Sequence, residues 1–65
     1  MNNIDFLQDS IQSEMILQFL YNKYMMEISN PEVRQLFTQL RDTKMQNISQ
    51  LQLEIKTIVD QDKTQ

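Results

Sequence analysis

The feature that most constrains this chain is the absence of any glycine, beside a single proline near the midpoint. Glycine supplies the positive-φ positions of tight β-hairpins and the close backbone approach of phosphate-binding loops. A chain without it is steered away from both. In their place stand two long runs rich in Leu, Ile, Met, Gln and Glu, good or acceptable helix formers, separated by Ser29-Asn30-Pro31-Glu32. The residue before a proline resists the helical region. Asn30 can cap a new helix, and Pro31 suits its first position, where the missing N–H is no loss. The sequence therefore predicts one all-α domain over 1–65: a helix over about 4–28, a turn at 29–31, a second helix over about 31–59 and a frayed polar tail over 60–65. Asn3 is a candidate N-cap for the first helix. So short a connection implies an antiparallel two-helix hairpin.

A chain of 65 residues has little core of its own. Domains near this length bury only about 60% of their unfolded surface, and the usual remedies are disulfides, metals or oligomers. There is no Cys, which excludes disulfides and thiolate metal sites, and no His, the commonest general base and metal ligand. Oligomerisation is the remedy that remains. Without His or Cys no nucleophile–base pair can be assembled, so neither an enzyme nor a cofactor is expected.

The net charge is −3 and the six cations are scattered. Phosphate binding needs them clustered, so nucleic acid is not an expected partner. No basic polar face suits a membrane surface, no apolar run reaches about 18 residues, and MNNIDFLQDS has neither the basic nor the apolar region of a signal peptide. The expected compartment is the cytoplasm.

In the second helix, Val33, Phe37, Leu40, Lys44, Asn47, Leu51, Ile55 and Ile58 follow spacings of three and four and share a face. Leu36 and Ile48 flank this stripe, and Arg34, Thr38, Arg41, Met45 and Gln52 are expected to lie away from it. The first helix is apolar nearly all round, with its deepest line expected at Leu7, Ile11, Glu14, Gln18, Tyr21, Met25 and Ile28. Met15, Met25 and Met26 are expected in the core. One partner helix cannot cover such a surface. The expectation is a homodimer, two hairpins related by a two-fold axis in a four-helix bundle, with Ile11, Tyr21, Met25, Leu40 and Leu51 in the packing.

Both stripes turn polar at mid-length. A chain folded about residue 30 sets Glu14 opposite 44–47, so Glu14, Gln18, Lys44 and Asn47 fall in one layer. Three readings stand. Metal ligation is one: di-iron bundles take a Glu from one helix and Glu-x-x-His from the next, all pointing inward. A metal-free layer of Glu14–Lys44 ion pairs that fixes register and partner number is another. In the third, Lys44 reaches solvent along the bundle and Glu14 lies at an edge.

The stretch from Glu14 to Leu51 resembles half of a ferritin-like bundle, of the rubrerythrin and bacterial spore-coat (CotF-type) kind. Glu14 with Tyr21 one heptad later resembles the first helix of those proteins. ISNPEVRQLFTQLRDTKMQN resembles their turn and second helix, a Pro-Glu-x-Arg entry followed by Glu-x-x-His. On that alignment Lys44 stands at the Glu position and Asn47 at the His position, and Glu14 alone matches a ligand. The resemblance implies a ferritin-like bundle and a spore-related structural role. The departures imply that the metal motif is lost, because an ammonium has no lone pair to give and an amide is a weak ligand.

The expectation is a non-enzymatic structural or protein-interaction module, cytoplasmic or spore-associated. It has no metal, cofactor-binding or catalytic residues, and Glu14, Gln18, Lys44 and Asn47 form a vestigial polar layer. A protein partner other than a second copy stays open. The alternative is a small regulatory hairpin similar to the sporulation phosphatases or antagonists that bind response regulators. Their Ser-Gln-Glu-Leu-Asp signature is met here only out of register, by Thr38-Gln39-Leu40-Arg41-Asp42.

Overall fold

Two helices account for nearly all of residues 2–63, the part of the chain that the computed structural model describes. They are α1, Asn3–Glu27, and α2, Pro31–Lys63, and among the described residues there is no strand. Asn2, not Asn3, caps α1. The Asn2 side chain accepts from the Asp5 N–H at 2.9 Å, and the Asp5 carboxylate accepts from the Asn2 N–H at 3.3 Å. This reciprocal box needs an acceptor three residues after the cap. Asp5 provides one for Asn2, whereas Asn3 would have faced Phe6.

The turn is closed by its own side chains. Asn30 Oδ1 accepts from the N–H groups of Glu32 and Val33 at 2.9 and 3.1 Å, which satisfies two of the orphan donors that begin α2. At the other side of the turn, Ile28 is extended and its N–H still donates to the Tyr24 carbonyl. The last turn of α1 holds no basic residue. Arg34 of α2 supplies one, donating from Nε and Nη2 to the Ile28 carbonyl at 3.0 and 2.8 Å, where a cation meets the negative end of the helix dipole.

Beyond the turn the helices run antiparallel. The rings of Tyr21 and Tyr24 both pack on Phe37, with centroids 5.8 and 5.6 Å apart, in the tilted and edge-on arrangements that aromatic quadrupoles favour. This contact sets the register. Counted from Phe37, the seam of α2 is Phe37, Arg41, Lys44, Ile48, Leu51, Ile55 and Ile58, all half-buried except the buried Ile48, with Leu40 and Asn47 beside it. Steps of four and three residues alternate along it, the 3.5-residue period of a coiled-coil seam. On α1 the matching line is Leu7, Ile11, Glu14, Gln18, Tyr21, Met25 and Ile28, all half-buried.

That register departs from the expected stripe in four ways. Ile48, expected at the flank, is the one buried residue among those described, at 8% exposure. Val33, expected inside, lies before the first aromatic contact and is exposed. Arg41 and Thr38, expected to point away, reach back over α1, and both hydrogen bond to the Met25 sulfur. Met15 and Met26, expected in the core, are exposed along with Met45, Met26 at 76%. One helix cannot cover the apolar circumference of α1. The segment 60–63, expected to fray, continues α2 as helix, because no proline or glycine follows Val59 to stop it. Residues 64 and 65, the rest of the expected tail, lie outside the described residues.

The hairpin is a thin rod, 54 × 18 × 11 Å. Among the described residues, no helix is long and apolar enough to cross a membrane.

Candidate functional site: a polar layer at mid-seam

Halfway along the rod the seam changes from apolar to polar. Lys44 and Asn47 are three residues apart, so α2 presents them from one face, and both converge on Glu14 of α1. Asn47 Nδ2 donates to Glu14 Oε1 at 3.0 Å. The Lys44 Nζ lies 3.0 Å from Glu14 Oε2, with the two side chains only 22% and 19% exposed. The fourth member of the expected layer, Gln18, sits one turn closer to the loop. It lines a cleft with Asn22, Arg41 and Met45 instead of joining Glu14.

The ion pair is close but imperfectly aligned. Glu14 Oε2 is out of solvent and has no well-directed hydrogen-bond donor, although the ammonium beside it compensates its charge. The nearness of Lys44 comes first in holding the Glu14 carboxyl below its ordinary value; partial burial opposes this, and the Asn47 amide adds to the lowering. Glu14 is thus held as the carboxylate by two side chains of the other helix.

The layer opens to one flank of the rod. Phe6, Ser10, Ser13 and Leu17 border Glu14 and Lys44 there. Further from the turn, Ser10, Asn47, Gln50 and Glu54 continue the same flank.

The donor set does not fit a metal. Lys44 places a cation, with no lone pair to offer, against the carboxylate a dication would need. Among the described residues no group of three or more His, Cys, Asp or Glu side chains comes together. What the layer can do is hold register: sliding one helix past the other would leave the partly buried Glu14 without its ammonium and its amide.

A second polar cluster lies one turn nearer the loop. Arg41 Nη1 donates to Asn22 Oδ1 at 3.1 Å and to the Met25 sulfur at 3.3 Å, while its Nη2 lies 3.0 Å from the Asp42 carboxylate. Sequence reasoning passed over this cluster. The signal that finds it is the four-three alternation counted from Phe37, which puts Arg41 in the seam. Its long stem can cover apolar surface while its head stays wet. Asp42, the acidic residue of the phosphatase-like reading, is exposed and held by its neighbour Arg41. Ile11, Tyr21, Met25, Leu40 and Leu51, the expected packing residues, are all half-buried along the seam.

No protein-family model, curated protein or solved structure matches this chain.

Proposed function

We propose that this protein is a non-enzymatic structural or protein-interaction module that acts as a homodimer, two hairpins packing into a four-helix bundle around a metal-free polar layer. The observation that carries this reading is how little the lone hairpin buries. Ile48 is the only described apolar residue in the buried class, while Phe6, Ile16, Phe19, Met26, Leu36 and Leu53 are each more than half exposed. Monomeric proteins seldom leave so much apolar surface open unless it meets a partner.

Area gives the same indication. A compact monomer of 7.8 kDa exposes about 4,400 Å². The hairpin exposes 5111 Å², a surplus of about 700 Å², close to the ~800 Å² per partner of a standard interface. With no disulfide available, a second copy is the covering that lets a chain of this size stand alone.

In this reading Glu14, Lys44 and Asn47 serve specificity, as a buried polar residue does in coiled coils. The proposed kinship with ferritin-like hairpins of the spore-coat kind would make the layer the remnant of a metal site and the protein a structural component. Sedimentation at micromolar concentration, with elemental analysis of the same sample, tests the proposal. The expected result is a particle of twice 7.8 kDa, without stoichiometric metal and with melting indifferent to chelator. A monomer, or iron or zinc bound at one per bundle, overturns it.

A further inference from the structure

The exposed apolar surface is unevenly spread along the rod, and its distribution selects how two copies meet. On the flank that carries the polar layer, Leu17, Leu20 and Tyr24 of α1 follow spacings of three and four, as do Val33, Leu36 and Leu40 of α2. All six lie in the half nearer the turn, and none carries a charge. Tyr24, Val33 and Leu36 are exposed, and Leu17, Leu20 and Leu40 half-buried. Beyond the polar layer the same flank becomes mostly polar, with Asp9, Ser10, Ser13, Asn47, Gln50 and Glu54 around the exposed ring of Phe6. The opposite flank exposes more apolar surface, with Met15, Phe19, Met26 and Met45, but it is broken up by charge: Lys23, Glu27, Arg41 and Asp42 lie among them.

We infer that a second copy of this chain covers the first flank with its turn beside the first copy's turn, about a two-fold axis running along the rod. This rests on the homodimer reading above. Recovering a surplus of about 700 Å², near the ~800 Å² of a standard interface, requires overlap along most of a rod 54 Å long. Two full-length alignments do that. With the turns at opposite ends, the mid-rod layers still face each other, but the six-residue patch of each copy faces the stretch beyond the layer in the other, with Ser10, Gln50 and Glu54, which desolvates polar groups against apolar ones. With the turns together, patch meets patch and polar half meets polar half. An antiparallel pairing centred on the patches would also join them, but it overlaps only the turn-proximal half of each rod. In the turn-beside-turn bundle every helix also has antiparallel neighbours, as the hairpin itself does. The two Glu14–Lys44–Asn47 layers then lie side by side at one height and are neutral together.

This is the reverse of a ferritin-like bundle, whose single long crossover places its two short turns at opposite ends. The proposed kinship would then extend to the hairpin and not to its pairing.

The absence of native cysteine makes the test clean. Ser29 lies in the turn and is exposed, so a spin label on Ser29→Cys reports the turn-to-turn distance in the dimer. Turns together give roughly 10–25 Å, a few interaxial spacings; turns at opposite ends give a distance approaching the 54 Å length of the rod. Leu36→Glu places a charge in the patch and is expected to weaken dimerisation at least about tenfold. It lowers the sedimenting mass or, where the hairpin does not survive alone, the helicity at the same concentration. Ile16→Glu, on the outer side of α1, is expected to move neither. A long distance in a dimer overturns the pairing and leaves the homodimer standing. A monomer overturns both. Dissociation by Ile16→Glu, or indifference to Leu36→Glu, overturns the choice of flank.

Discussion

The turn and the middle of this hairpin are built to different standards. At the turn, Asn30 satisfies the first donors of α2, and Arg34 closes the last carbonyl of α1 with two hydrogen bonds. In the middle, the Glu14 Oε2 is shielded from water without an aligned donor, a single one of the described residues is buried, and large apolar side chains on both flanks face solvent. The difference teaches where the fold is specified and where its stability must come from. Local chemistry suffices to bend the chain back on itself; it does not supply a core.

The largest expected effect attacks the middle. Ile48→Ala removes the only buried side chain among the described residues and should cost about 2–3 kcal/mol, a large fraction of the stability of so small a domain. Urea denaturation with helicity as the readout measures it. A loss below 1 kcal/mol would mean that the seam counts for no more than the turn.

Next comes the polar layer. Lys44→Met leaves Glu14 partly buried beside an apolar chain and should lower the melting temperature at neutral pH. Replacing both residues by leucine should recover most of that loss, because well-packed apolar residues commonly match a buried ion pair. The acid side gives an independent check. The folded chain holds the Glu14 carboxyl below its ordinary 4.5, so the unfolded chain takes up a proton first as the pH falls. The stabilising contribution is therefore complete above 4.5 and drains away as the pH drops through the lowered native value. Melting followed between pH 7 and pH 3 should show that decline in the native chain and a smaller one in Glu14→Gln.

The smallest effects are expected at the turn. Asn30→Ala should cost about 1 kcal/mol and Arg34→Ala about 0.5 kcal/mol, with helicity near the loop reduced and dimerisation retained. If either variant destabilised the protein more than Ile48→Ala, the ranking of the two regions would be reversed.

The same contrast explains what could be read from the sequence. The turn was legible because Asn30 and Pro31 act within a few residues. The meeting of Glu14 with Lys44 and Asn47 was legible by counting, since two helices leaving a known turn climb at the same rate. The exact seam of α2 was not. Leu40 and Arg41, and likewise Asn47 and Ile48, are adjacent positions straddling the stripe, and composition favours the apolar choice in the first pair and misplaces Ile48 in the second. Only the packing of Tyr21 and Tyr24 on Phe37 decides between them. The Asn22–Arg41 contact stayed hidden for the same reason, because an arginine is expected to face water.

The Arg34 clamp also bears on the order in which the molecule comes together. The guanidinium and the Ile28 carbonyl it grips are six residues apart, so they meet by closing a loop that a chain explores in roughly 10–100 ns. Ring contacts from Tyr21 and Tyr24 to Phe37 lie just beyond, and the rest of the seam can zip outward through pairs of gradually rising sequence separation, the pattern of fast-folding helical chains. In the proposed dimer, docking is the only step that requires a second molecule, so concentration governs the pace of maturation.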